Sequence, residues 1–124
     1  MLLDDKDCTG WVEHDNSAGI SGDASAEKAG EANHTHYVTF IHASMKYSMS
    51  PAAGTAKLYD NAGVVAQFNI MGCQQYGGND GLTISFPRPI RITAGAAVKL
   101  TVTPDSTSNN TAMDAVIMGF TLRD

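Results

Sequence analysis

The run Ala97-Val98-Lys99-Leu100-Thr101-Val102-Thr103 places apolar side chains at its even positions and mostly polar ones at its odd positions. Strand side chains point alternately to opposite faces, so this pattern describes a strand with one face buried and one face wet. The same alternation appears on either side of it. Leu82-Thr83-Ile84-Ser85-Phe86 repeats it, and Val64, Ala66, Phe68 and Ile70 share a face opposite Gln67 and Asn69. Thr55 to Tyr59 turns Ala56 and Leu58 inward. In the last run, Val116, Met118, Phe120 and Leu122 lie opposite Ile117, Gly119 and Thr121. The run His36 to Ala43 is mixed, with Val38 and Phe40 on one face and Tyr37 and Ile41 on the other, as in a strand covered on both sides.

The punctuation between these runs fits tight connections. Asp60-Asn61-Ala62-Gly63 reads as a hairpin, with Gly63 expected in the left-handed conformation. Gly77-Gly78-Asn79-Asp80-Gly81 and Thr93-Ala94-Gly95-Ala96 are further turns. Pro87 and Pro89 flank Arg88, which predicts an edge strand or a strand-switching corner. The expected fold is an all-β antiparallel sandwich, jelly-roll-like, with about seven to eight strands.

The chain has 124 residues, enough for one domain with a real core. The first part differs from the rest. Residues 1–35 hold eight acids and two lysines, whereas the remainder holds five acids and six bases. That first segment is rich in Gly, Ser, Ala and Asp, with Trp11-Val12 as its apolar anchor. It reads as an extended acidic arm that docks on a partner chain or on its own sheet, and residues 36–124 as the sandwich. Ala24 to Ala32 has helix-favouring composition but no apolar stripe, so at most a short helical turn is expected there.

Composition narrows the function. The net charge of −5 and the lack of a basic face argue against nucleic-acid binding. No apolar run approaches the ~20 residues of a membrane span. Met1-Leu2-Leu3 leads directly into Asp4-Asp5-Lys6-Asp7, unlike a secretory signal, so synthesis and retention in the cytosol are expected unless another exit route operates. Cys8 and Cys73 have no metal-type spacing and are expected as free thiols.

Catalytic patterns are missing. There is no Gly-x-Ser-x-Gly elbow, and the acids of the body, Asp60, Asp80, Asp105, Asp114 and Asp124, sit in turns or at the end. The expectation is a protein that is not an enzyme and carries no cofactor. The one candidate metal set is His34, His36 and His42, which share a face if their strand is regular. It lacks the carboxylate and the later His that a cupin-type site would add, so buried or contact imidazoles are the plainer reading. Trp11, Arg88 and Arg91 are the candidate partner-binding residues, with edge protection as the competing role for the arginines. Tyr76 with Asn79 and Asp80 is the one cluster suited to a carbohydrate- or receptor-binding module.

Several stretches resemble small virion proteins of tailed phages. They are His36-Tyr37-Val38-Thr39-Phe40-Ile41-His42-Ala43-Ser44-Met45, Gly54-Thr55-Ala56-Lys57-Leu58-Tyr59-Asp60, Phe86-Pro87-Arg88-Pro89-Ile90-Arg91-Ile92-Thr93-Ala94-Gly95 followed by Val98-Lys99-Leu100, and the closing Met118-Gly119-Phe120-Thr121. The resemblance covers roughly residues 34–122. It implies a jelly roll and a role in the particle, most often as a capsid decoration or cement protein on the phage head surface. It also implies binding to the major capsid protein, a trimeric homo-oligomer, and synthesis in the host cytoplasm. A fibre-type binding module and a cupin-like metalloprotein are the alternatives.

Overall fold

A computed structural model describes residues 8–18, 23–47, 53–71, 73–74, 81–104 and 110–124. Nine strands run through them: β1 (Cys8–Ala18), β2 (Ala24–Lys28), β3 (His34–Tyr47), β4 (Ala53–Asp60), β5 (Gly63–Met71), β6 (Cys73–Gln74), β7 (Leu82–Arg91), β8 (Val98–Pro104) and β9 (Asn110–Arg123). The described residues contain no helix long and apolar enough to cross a membrane.

The strands form two sheets. The first has the order β1-β9-β3, with β7 and the two-residue β6 pairing along the far side of β3. The second has the order β2-β8-β4-β5. The antiparallel pairs β4·β5, β3·β7, β2·β8 and β1·β9 are nested one outside the next, as if a long hairpin had been wound around a barrel axis. That winding is the jelly-roll path. The expected sandwich is therefore present.

The described residues of the first 35 are not a separate arm, because β1 pairs with β9 over eleven residues and β2 pairs with β8. Asp15 Oδ2 accepts the Ser25 backbone N–H at 2.7 Å, which ties the two strands across the sheet-to-sheet connection. Ala24 to Lys28 is a strand rather than a helical turn, because Ala24 and Ala26 are small enough to be buried against the other sheet. Their alternation with Ser25 and Glu27 has period two. Tertiary pairing outweighs the helix propensity of a five-residue segment, which is too short to hold a helix by itself.

The core lies between the sheets. Val98, Leu100 and Val102 of β8 are buried, as are Ala56 and Leu58 of β4 and Ile70 of β5. Leu82, Ile84, Phe86 and Ile90 of β7 pack against them from the first sheet. Each large aliphatic side chain buried here contributes about 1.5–3 kcal/mol relative to exposure. Val64 does not join its alternation partners. A register shift between Leu58 and Tyr59 opposite Val64 and Ala66 leaves Val64 and Val65 exposed at the end of the β4–β5 hairpin. In that hairpin Asn61, not Gly63, takes the positive φ, at 56°. A positive φ at only the first of two loop residues is the φ pattern of a type II′ turn, and Asn tolerates it.

Two departures reset the faces. In β3 the register shifts between Val38 and Phe40, so Thr39 is a bulge residue. His36 and Val38 then face inward together with Ile41, Ala43 and Met45. One inserted residue thus changes the parity of the strand. In β9 the inward residues are Met113, Ala115, Ile117 and Thr121, and the more apolar row of Val116, Met118, Phe120 and Leu122 faces outward. Opposite the Thr39 bulge, β7 runs from Ser85, paired with Phe40, to Ile90, paired with Val38. Residues 86–89 form the excursion between them. The proline stretch therefore lies on an edge strand, as its missing N–H groups require.

Candidate interaction surface

The three histidines do not converge. His36 is 1% exposed and sits inside, while His42 lies beyond the bulge on the outer face, where its Nδ1 is 2.8 Å from Thr83 Oγ1. His34 Nδ1 contacts the Ala32 carbonyl at 2.8 Å near the rim. Among the described residues no group of three His, Cys, Asp or Glu side chains could hold a metal ion. The shared face expected for His34, His36 and His42 required a regular strand, and the bulge at Thr39 removes it.

His36 instead belongs to a buried polar chain. Trp11 Nε1–H donates to Thr121 Oγ1 at 3.0 Å, and the Thr121 hydroxyl donates to His36 Nδ1 at 2.6 Å. His36 Nε2–H donates to the Ala29 carbonyl at 2.7 Å. The carbonyl can only accept, so Nε2 carries the proton and the neutral ring satisfies every partner. The indole and imidazole rings also meet edge to face at 5.8 Å. Trp11 is only 9% exposed. The residue expected to meet a partner is buried in the core of its own chain. We predict that Thr121→Val, which strands the indole N–H and one imidazole nitrogen, costs about 2–4 kcal/mol of stability in urea denaturation.

Arg88 and Arg91 are both exposed on β7, whose outer edge carries no further strand among the described residues. Two prolines and two arginines on an open edge fit protection against strand addition. Register sets Arg91 beside Tyr37. The cluster of Tyr76, Asn79 and Asp80 lies outside the described residues. The cysteines are held apart within one chain. Cys8 is level with Leu122 and Thr35, and Cys73 is level with Lys46, a separation along β3 on the order of 35 Å, far beyond disulfide reach.

A depression of about 410 Å³ lies beside the β4–β5 hairpin, lined by Asp60, Asn61, Gly63, Val64, Val65 and Thr93 among others. Asp60 Oδ2 accepts both the backbone N–H and the hydroxyl of Thr93, at 2.9 and 2.8 Å. That carboxylate oxygen closes a loop by tying the hairpin to Thr93.

The feature that sequence reading missed is the outer face of the first sheet. Cross-strand neighbours share a face. Register therefore builds three rows across β1, β9, β3 and β7: Gly10–Phe120–Tyr37–Arg91, Val12–Met118–Phe40–Ser85, and His14–Val116–His42–Thr83. Val12 is 57% exposed and Met118 38%, with Phe40, Val116, Phe120 and Tyr37 half-buried around them. Tyr37 and Phe120 stack at 5.0 Å. The next row holds Asn16, Asp114 and Ser44, and His14 Nε2 lies 3.3 Å from Asp114 Oδ1. The centre of the face is thus apolar and uncharged, and its charges stand at the rim.

The other sheet is the control. Its outer face presents Ser25, Glu27, Thr55, Lys57, Gln67, Asn69, Lys99, Thr101 and Thr103, with Tyr59 and the exposed Val64 and Val65 gathered at its hairpin end. Lys99 Nζ lies 4.9 Å from the centre of the Tyr59 ring, as a long side chain does on a solvated surface. Polar side chains fill the middle of this face, whereas apolar ones fill the middle of the other. Contiguous exposed apolar area on a small domain marks a contact surface. Compared with known proteins, the chain matches no family model, no curated protein and no solved structure.

Proposed function

We propose that this chain is a structural protein of a tailed-phage particle, of the capsid-decoration type, which acts by contact and performs no reaction. The observation that carries the reading is the apolar outer face of the β1-β9-β3-β7 sheet, set against a face on the other sheet that is polar except at its hairpin end. A rigid sandwich with one such face is a part to be covered by another protein surface. The resemblance of residues 34–122 to small phage virion proteins supplies the setting, with the major capsid protein as partner on the head surface.

The test is co-sedimentation of the purified chain with assembled heads of the phage whose genome encodes it. Saturable binding, at a fixed ratio to the major capsid protein, is the expected result. No binding to heads, together with specific hits on a glycan array, would replace this reading with a carbohydrate-binding fibre module.

A further inference from the structure

We infer that the apolar face of the first sheet is covered by a second copy of this chain. The inference deepens the particle reading, on which it rests for its setting, by naming the partner of that face.

Size is the first argument. Four strands about 4.8 Å apart, followed over the nine residues from Cys8 to Asn16, outline a face of roughly 20 by 30 Å. Its corrugated surface comes close to the ~800 Å² per partner that a stable interface buries. The apolar residues run along β9 and β3 from the Leu122 row to the Val116 row, bordered by Arg91, His14, Asn16 and Asp114. This matches the layout of stable interfaces, an apolar centre within a polar rim. Tyr37, Phe40, Phe120 and Met118 are also of the types that anchor such centres.

Self-complementarity is the second argument. A two-fold contact sets one patch against the same patch. A patch that carried a charge at its centre would oppose like charges there. This centre, Val12, Met118, Phe40 and Val116, carries none. Its rim is asymmetric. Arg91 stands at one end of the strands, and Asp114 with His14 toward the other. A two-fold axis that runs across the strands, parallel to the sheet and midway between the two faces, brings the Arg91 end of one copy over the Asp114 end of the other. The rim then attracts where the centre only packs. Lys46 lies one row beyond Asp114, outside the apolar rows.

The test is sedimentation velocity of the full chain up to about 100 μM, where even micromolar association is complete. The wild type should associate. Met118→Glu, which places an unpaired charge at the centre of the face, should weaken association at least about 100-fold while keeping a cooperative melt. Thr101→Glu, on the hydrophilic sheet, should leave it unchanged. A monomeric wild type at that concentration overturns the inference, and so does undiminished association of Met118→Glu. Should Met118→Glu fail to fold, the ¹³C-methyl resonance of Met118 in the wild type decides, since it must shift with protein concentration if the face is covered by another copy. A variant that stays associated but no longer binds heads would assign the face to the capsid, leaving the particle function standing. Association through this face without any head binding would remove the particle function and keep the self-contact.

Discussion

Deletion of residues 1–18 is expected to leave a chain without a cooperative unfolding transition. β1 pairs along eleven residues of β9, and removing it opens β9 from Ala112 to Leu122 as a new edge. It also removes Trp11, whose indole caps the core and whose N–H holds Thr121. Loss of a large buried aromatic alone costs about 3–5 kcal/mol. A domain of this size has only about 5–15 kcal/mol in total, and the lost pairing comes on top. Near-ultraviolet circular dichroism and a urea titration read the outcome. Retention of the native melting temperature by the truncated chain would restore the picture of a detachable arm.

The second large effect is expected at Gly119. A β-carbon there would meet the Tyr37 carbonyl oxygen within contact distance, and Trp11 Cζ2 at 2.8 Å. Neither obstacle can give way. The carbonyl belongs to the central strand β3 just before its bulge, and the indole is fixed by Thr121 and by the His36 ring. Gly119→Ala is therefore expected to cost about 3 kcal/mol or more, at the upper end for an overpacked site. Equilibrium denaturation measures it. The surface neighbour Met118→Ala serves as reference, since its side chain points away from the core and its truncation should change stability by less than about 1 kcal/mol.

These two sites also show where the sequence was legible. Strands β4, β7 and β8 follow simple alternation, and their inward residues Ala56, Leu58, Leu82, Ile84, Val98, Leu100 and Val102 were readable from period two alone. β1 was not. Its inward residues after Thr9 are Trp11, Glu13 and Asp15, so it has one large apolar side chain to bury. It is a strand because β9 offers it eleven partners, and that information lies more than 90 residues away in the chain. β3 was misread for a different reason. A bulge leaves no mark in the pattern of side-chain types, yet it reverses every face beyond it, and the histidine set dissolved with that reversal. β9 misleads most. Its more apolar face is the outer one, so the usual equation of apolar with buried inverts the strand. The candidate surface was thus present in the sequence as Val116, Met118 and Phe120, but only register could show that these residues face outward beside Val12, Phe40 and Tyr37.

The nesting of β1 against β9 has a consequence for how the molecule comes into being. A ribosome releases Trp11 long before it makes Thr121, the group that Trp11 bonds. β1 has no partner in the first sheet until the closing residues of β9 emerge, and β2 must wait for β8. The only pair in the jelly-roll nest that closes between neighbours is β4 with β5. Assembly can therefore grow outward from that hairpin, through β3 with β7 and β2 with β8, to the chain ends. Such a path stores its contacts at long sequence separation, which slows folding to milliseconds or seconds. During synthesis the early strands remain open to wrong partners, and the charges and sparse apolar content of residues 8–28 keep that waiting segment in solution.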